Sequence, residues 1–378
     1  MLSCYYPLFI IIASVSAESN LAKVNDDIET TTCLTDFDCS LNGVCLSSGC
    51  LCDTAWSGSS CSILTFASTT PISGKNIYNN SDPRNTWGGS IVGPDEYSKF
   101  HAFVPLYSNG SLWHVETCLH GLADIPTGPY NWSAVSNFSC GINPQFLAFP
   151  NASNTNQTLY SLWERGSLWL SSSLYGPFEK QSGYNVINPA PIYHDGNFYV
   201  TSQATLSIET SKNYNGPWTF YANITHPWPD AERPYNVEDP FMWIDKRNNW
   251  HIINHAYNKT QNSDCGSSFV SAHWFSGNEG LTWQWSYDEP YSHTVTYDDG
   301  SNHTFATLER PYLHFNAQGD PDYLICAVDL DASQQCANHN SVDTIACCDC
   351  CKFWDHAGTT VILLAGGEAG AQSDNKLF

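Results

Sequence analysis

The chain predicts an all-β protein, a five-bladed β-propeller preceded by a small disulfide-rich module. Three observations point there. Only 13% of its 378 residues are charged while 14% are aromatic, and Gly (25) and Pro (20) are frequent, a profile of strands and turns. No stretch of any length carries the 3.6-residue period of an amphipathic helix. Six cysteines crowd into residues 33–61, and the longer remainder repeats one pattern of turn residues about every 45–70 residues.

The N-terminus comes first in order. Residues 5–15 are apolar but too short to span a bilayer, and Val15-Ser16-Ala17 offers small residues for cleavage. Residues 1–17 are therefore expected to be a signal peptide and 18–32 a linker. Nine Asn-x-Ser/Thr sequons, at Asn79, Asn109, Asn131, Asn137, Asn151, Asn156, Asn223, Asn258 and Asn302, agree with export and glycosylation. So do 16 cysteines, a density that belongs to an oxidising compartment. A secreted, extracellular protein is expected. The net charge of −23 speaks against nucleic acid and anionic membrane as partners, since both require basic surface. No later segment is long and apolar enough for membrane insertion.

Cys33, Cys39, Cys45, Cys50, Cys52 and Cys61 are spaced x5, x5, x4, x1, x8, ending Cys50-Leu-Cys52-Asp-Thr-Ala-Trp56-Ser-Gly58-Ser-Ser-Cys61. So short a segment cannot bury a self-sufficient core, and cross-links must replace it. Six cysteines allow 15 connectivities. The segment 33–62 resembles an EGF-like domain, and the resemblance implies the pairs Cys33–Cys45, Cys39–Cys50 and Cys52–Cys61. Ala55 stands where that family usually has its first glycine, so this position is expected to avoid positive φ. No His interleaves, so a metal cluster is not expected. The acids Asp26, Asp27 and Glu29 lack the calcium-binding arrangement, and no metal or other cofactor is assigned. An extracellular protein partner is expected through this module.

A Ser/Thr-rich join at 63–74 leads to the propeller, 75–365, and a polar tail, 366–378. Five steps of Asx-Pro or Arg-Pro lead into strands: Asp82-Pro83, Asn143-Pro144, Asn188-Pro189, Asp239-Pro240 and Arg310-Pro311. The innermost strands are expected near 88, 145, 190, 241 and 312. Hairpin turns follow at Asp195-Gly196, Lys246–Asn249 and Asn316–Asp320. A later marker recurs as Gly128-Pro-Tyr130, Gly176-Pro-Phe178, Gly216-Pro-Trp218 and Gly280-Leu-Thr-Trp283. Five repeats of about four short strands mean five blades. Nine further cysteines, among them Cys118, Cys140, Cys265, Cys326, Cys336 and the run Cys347-Cys-Asp-Cys-Cys351, are expected to be mainly disulfides.

The blade starts resemble those of the five-bladed glycoside hydrolases, family 43 and its arabinanase, levansucrase and invertase relatives. The strings that carry this are Asp82-Pro83, Asn188-Pro-Ala-Pro-Ile-Tyr193, Val237-Glu-Asp-Pro-Phe-Met-Trp243 and Leu308-Glu-Arg-Pro-Tyr312. An extra repeat at 142–180 puts the acids in blades one, four and five, where that family has them in one, three and four. The resemblance implies Asp82 as general base, Asp239 as pKa modulator and Glu309 as general acid. Inverting hydrolysis uses such a pair about 6.5–9.5 Å apart, to admit a water. Trp87, His101, His255 and Arg310 are the candidate substrate-binding residues. The expected activity is hydrolysis of glycosidic bonds in a polysaccharide. The alternative is a lectin-like or adhesive propeller that binds carbohydrate or protein without turnover.

Overall fold

The computed structural model describes residues 33–67, 85–107, 115–133, 135, 138–139, 141–181, 186–203, 207–224, 235–258, 270–296, 299–305, 307–329 and 357–367. Residues 1–32 and the Cys347–Cys351 run lie outside this set, and the signal-peptide and C-terminal expectations lie there with them. Among the described residues the only helix is a 3-10 turn, Asp36–Cys39. Everything else regular is strand.

The N-terminal region holds two small hairpins, β1 (Gly43–Leu46) with β2 (Gly49–Cys52) and β3 (Trp56–Ser57) with β4 (Ile63–Leu64). Disulfides join Cys33 to Cys45, Cys39 to Cys50 and Cys52 to Cys61. Ala55 departs from expectation: it is left-handed, at φ 74. Its carbonyl accepts from Thr65 N–H at 2.9 Å, which ties this corner to the strand that follows.

Five antiparallel blades follow. Blade one contains β5 (Asn85–Thr86), β6 (Ser90–Val92), β7 (Phe100–Tyr107) and β8 (Val115–Ala123). Blades two and three are β9 (Gln145–Asn151), β10 (Asn154–Glu164), β11 (Ser167–Ser171) and β12 (Glu179–Gln181), then β13 (Ala190–His194), β14 (Asn197–Thr201), β15 (Ser207–Ser211) and β16 (Thr219–Asn223). Blade four is β17 (Tyr235–Ile244), β18 (Trp250–Asn258), β19 (Ser271–Ser276) and β20 (Gln284–Trp285). A hairpin, β21 (Thr294–Thr296) and β22 (Asn302–Thr304), leads to blade five, β23 (Thr307–Phe315), β24 (Pro321–Asp329) and β25 (Ala357–Leu363). Blades two, three and four have the expected four strands in sequence order. In blade one, β5 and β6 both pair with the same edge of β7, so they are one interrupted inner strand.

Aromatic rings fill the spaces between blades. Phe103 packs on Phe146 (5.9 Å between centroids), Phe149 on Phe198 (4.8 Å), Tyr199 on Trp250 (4.8 Å) and Phe241 on Tyr312 (4.6 Å). These contacts join blades one to two, two to three, three to four and four to five, which is where the aromatic composition goes. Gly128, Gly176, Gly216 and Gly280 all stand at φ between 77 and 86, so the recurrent marker is a turn that needs a left-handed residue. Among the sequons, Asn131, Asn156, Asn223 and Asn302 are exposed, while Asn79, Asn109 and Asn137 lie outside the described residues.

The expected join at 63–74 begins as part of the fold. Phe66 bridges Leu364, Ala67 N–H donates to Leu363 at 3.0 Å, and Ala365 N–H donates to Thr65 at 2.7 Å. Residues 65–67 thus run along β25 as the outer edge of blade five. The disulfide-rich region packs on the hairpin ends of blades four and five. Arg247, in the β17–β18 turn, grips Asp53 with both terminal nitrogens (3.1 and 2.5 Å) and donates to the Leu41 carbonyl at 2.5 Å. Trp56 stacks on His273 at 5.3 Å, and Ser62 donates to Asp288 at 2.6 Å.

Two outcomes are expected. Arg247→Ala should destabilise the protein by about 1–3 kcal/mol, because Asp53 and the Leu41 carbonyl lose their donor. Thermal unfolding measures this, and hydrogen exchange should rise first in residues 33–67. Glu164 gives a pH signature. Burial pushes its carboxyl up to about 7, against the Trp169 indole N–H that donates to it at 2.7 Å. The folded state then holds a proton that the unfolded state releases near 4.5, so this contribution is full below that pH and lost as pH rises to about 7. Glu164→Gln should gain relative to wild type over that window, by about 3 kcal/mol on conversion of the shift. Urea midpoints from pH 4.5 to 7.5 test it.

Candidate functional site at the propeller axis

A left-handed residue precedes the inner strand in blades two and three and interrupts it in blades one, four and five. Asn143, Asn188, Asp239 and Arg310 stand at φ 55, 46, 49 and 53, and in blade one the same place is taken by Gly88 at φ 72. In blades four and five the residue lies in a bulge. Asp239 and Pro240 fall between the pairs Glu238–His255 and Phe241–Ile253, and Arg310 and Pro311 between Glu309–Ala327 and Tyr312–Ile325. Glu238 and Glu309 are therefore equivalent positions in neighbouring blades, and so are Asp239 and Arg310. Asn and Asp tolerate left-handed backbone; Arg gains nothing locally from it.

The bulges bring Glu238, Asp239, His255 and Glu309 together, with one nitrogen or oxygen of each within 4.8 Å of the others. Asp239 is 1% exposed, Glu309 6% and Arg310 5%. Asn188 Nδ2 donates to Asp239 Oδ1 and, at 2.7 Å, to Gln203 Oε1; Gln203 Nε2 donates to Glu238 Oε2 at 2.6 Å. His255 Nδ1 lies 3.3 Å from Glu238 Oε1, and Arg310 Nε lies 3.7 Å from Asp239 Oδ2. Burial alone would raise the Glu238 carboxyl, but the hydrogen bond and charge of His255, with Arg310, outweigh it and hold it low. Burial likewise acts to discharge Arg310, and Asp239, Tyr107, Glu309 and Glu238 together keep it charged. Tyr107 is pushed up by burial, with Arg310 opposing and Asp239 and Glu309 adding to the shift.

Three carboxylates and an imidazole are a donor set that a hard or borderline divalent cation would accept. Here Arg310 already supplies positive charge, and amide N–H groups occupy oxygens of Glu238 and Asp239. Among the described residues, further polar atoms around the axis find no hydrogen-bond partner: Asn143 Nδ2 and Oδ1, Asn188 Oδ1, Arg310 Nε and Nη1, and Tyr291 Oη. Asn143 and Arg310 both border Gly88, where an added Cβ would meet Arg310 Cβ and Cδ at 3.0 Å and Asn143 Oδ1 at 3.5 Å. A surface crevice of about 340 Å³ beside Asn197, Lys212 and Pro217 lies on blade three, away from these groups.

Of the residues expected from sequence, Asp239, Glu309, Arg310 and His255 come together. Asp82 lies outside the described residues, and the blade-one position matching Asp239 is Gly88, which brings no carboxyl. Trp87 is buried with Tyr107, Ile142 and Ala327, a wall rather than an open sugar platform. His101 is displaced from the site. It pairs with Val92, at the opposite end of β7 from Tyr107, with Nε2 on Asp95 at 3.0 Å and Nδ1 on His120 at 2.9 Å. Burial lowers His101 and takes His120 to about 3, so both are neutral structural imidazoles. The same Asp–His–His chain recurs in blade four as Asp245, His251 and His273. Gln203, Asn143, Tyr107 and Tyr291 were not singled out from the sequence. Asn143 carried a signal in its Asx-Pro step; Gln203 carried none.

No protein-family model and no curated protein matches the chain. Solved structures similar to it include the GH43 protein BlXynB from Bacillus licheniformis, at 14% identity over 58% of this chain and 43% of that one, TM-score 0.36. A thermostable family-43 glycoside hydrolase is similar at 12% identity over 78% and 94%, TM-score 0.43. The α-L-arabinofuranosidase from Lactobacillus brevis is similar at 8% identity over 76% and 92%, TM-score 0.45. The chain spans less than half the length of BlXynB.

Proposed function

We propose that the axial well takes a neutral sugar unit of a polysaccharide and that the chain hydrolyses its glycosidic bond, with Glu309 as proton donor. The observation that carries this is the balance of unmatched polar atoms. Buried polar groups are normally bonded, yet here donors (Arg310 Nε and Nη1, Asn143 Nδ2) and acceptors (Asn143 Oδ1, Asn188 Oδ1) stand unmatched side by side, with the Tyr291 hydroxyl able to serve either way. A sugar hydroxyl both donates and accepts, so a polyol answers both kinds at once. An anion would answer only the donors and would add charge beside three carboxylates.

In this reading Asp239, crowded against Glu309, keeps a proton on Glu309, since like charges resist joint ionisation. Glu238 and Asp239 lie too near Glu309 to admit an attacking water between them, and the resemblance to family 43 implies Asp82 as the base. Export, glycosylation and an EGF-like module with a protein partner belong to the same proposal. The three disulfides and the exposed Leu46 and Leu51 of the β1–β2 hairpin support it. Gly88, in place of an acid at the mouth of blade one, favours a second reading, carbohydrate binding without turnover.

Wild type and Glu309→Gln, assayed on aryl furanosides, aryl pyranosides and polysaccharides with calorimetric binding alongside, decide between them. Hydrolysis predicts turnover by wild type and a loss of about 10²–10⁴-fold in the variant on poor leaving groups, with sugar binding retained. Activated aryl glycosides should suffer less, because they need little protonation. Binding without turnover in both proteins selects the second reading. Neither binding nor turnover overturns both.

A further inference from the structure

We infer that Gln203 is a positioning residue: with Asn188 it forms an amide relay that fixes Asp239 and Glu238 as carboxylates and so assigns the cluster's proton to Glu309. The proton assignment stands on geometry; its kinetic consequence rests on the proposed role of Glu309.

The direction of the relay follows from donor and acceptor chemistry. An amide NH₂ has two protons to give and cannot accept. Asn188 Nδ2 spends one on Asp239 Oδ1 and the other on Gln203 Oε1. Because Gln203 Oε1 accepts there, its Nε2 must face the other way, and it meets Glu238 Oε2 at 2.6 Å. A proton on that oxygen of Glu238, or on Asp239 Oδ1, would point at an N–H. Those two oxygens are therefore held as acceptors, which favours the charged form of both acids. The relay is anchored at its far end, since Gln203 N–H donates to the Ile187 carbonyl at 3.2 Å, one residue before Asn188. Two blades are thus tied through two side-chain amides, and neither amide titrates.

The charged and titratable groups around this array are few. His255 from β18 faces Glu238, and Arg310 and Glu309 come from β23. Among the described residues, Tyr107 from β7, Tyr291, with Glu289 near it, and the buried Cys326 of β24 also lie there, and burial raises Tyr107, Tyr291 and Cys326 above their ordinary values. Among the three clustered carboxyls, the proton then has Glu309 as its place.

Carboxyl ¹³C NMR titration of the full chain tests this, with Glu309→Gln, Gln203→Met and Gln203→Glu as variants. The expected result is that the highest-titrating member of the cluster disappears in Glu309→Gln. In Gln203→Met, Glu238 should titrate about one pH unit higher and Glu309 correspondingly lower, a tenfold change in proton affinity. Gln203→Glu keeps the shape, replaces the donor by an acceptor and should move Glu238 the same way, which guards against a packing defect in the Met variant. Where turnover is present, the basic limb of kcat/KM should move down by the same amount in both Gln203 variants. A highest-titrating group that survives in Glu309→Gln, or Gln203 variants that titrate like wild type, overturns the relay. The expected titrations without turnover on any glycoside uphold the relay and remove the hydrolase reading instead.

Discussion

A left-handed residue in or just before every inner strand is the constraint on which the axial site depends. It turns the chain into each blade and, in blades four and five, inserts two residues opposite one. Such bulges re-aim side chains, and here they send consecutive residues, Glu238 with Asp239 and Glu309 with Arg310, toward one place. The proline that follows the left-handed residue in blades two to five lacks an N–H, which suits a position where the ladder is broken or not yet begun. Gly88 fits the same geometry for a second reason. A side chain there would strike Arg310, so the glycine makes room for the guanidinium that balances the acids.

That balance is the energetic problem of the fold. Several ionisable groups lie almost fully buried on the axis, and burying a charge without a partner is costly. Arg310 faces Asp239, His255 faces Glu238, and two amides direct their N–H groups at the same two acids. The arrangement is satisfied on the acidic side and left open elsewhere, at Asn143, Asn188 Oδ1 and the guanidinium. Apolar packing of the same positions would stabilise the propeller more simply.

What the sequence made legible was what the local backbone demands. The inner strands of blades one to three lie where residues 88, 145 and 190 were expected to start them, because Asx-Pro and Gly mark left-handed turns whose chemistry is short-range; those of blades four and five begin earlier, at Tyr235 and Thr307, and 241 and 312 are where they resume pairing after a bulge. Asp239, Glu309 and Arg310 were visible for the same reason, as they ride on those turns. Gln203 was not, because it sits past the end of β14 and acts only through a contact with a neighbouring blade. His101 misled because His near a strand end looks alike whether it faces the axis or the opposite rim, and only the register with Val92 tells them apart. Ala55 misled by residue type, adopting the left-handed turn usually given to glycine. The run at 65–67 looked like a join because three residues carry no period, yet the open edge of β25 supplied the missing partner.

The two ends of the propeller therefore divide the work. At one end blade four and the segment after it receive the disulfide-rich region through Arg247, Trp56 and Ser62, and blade five pairs with the residues 65–67 that follow it. At the other end the same two blades supply Glu238, Asp239, His255, Glu309 and Arg310. Residues 65–67 couple these roles, since they continue directly from the disulfide-rich region and pair with the last blade, whose inner strand carries Glu309. A ring of blades is held closed by its first and last strands, and an acid cluster built across two blades keeps its spacing only while they stay in register. The cross-linked region is thus tied to the outer edge of the blade whose inner strand carries Glu309, while the acid cluster itself lies at the opposite end of the blades.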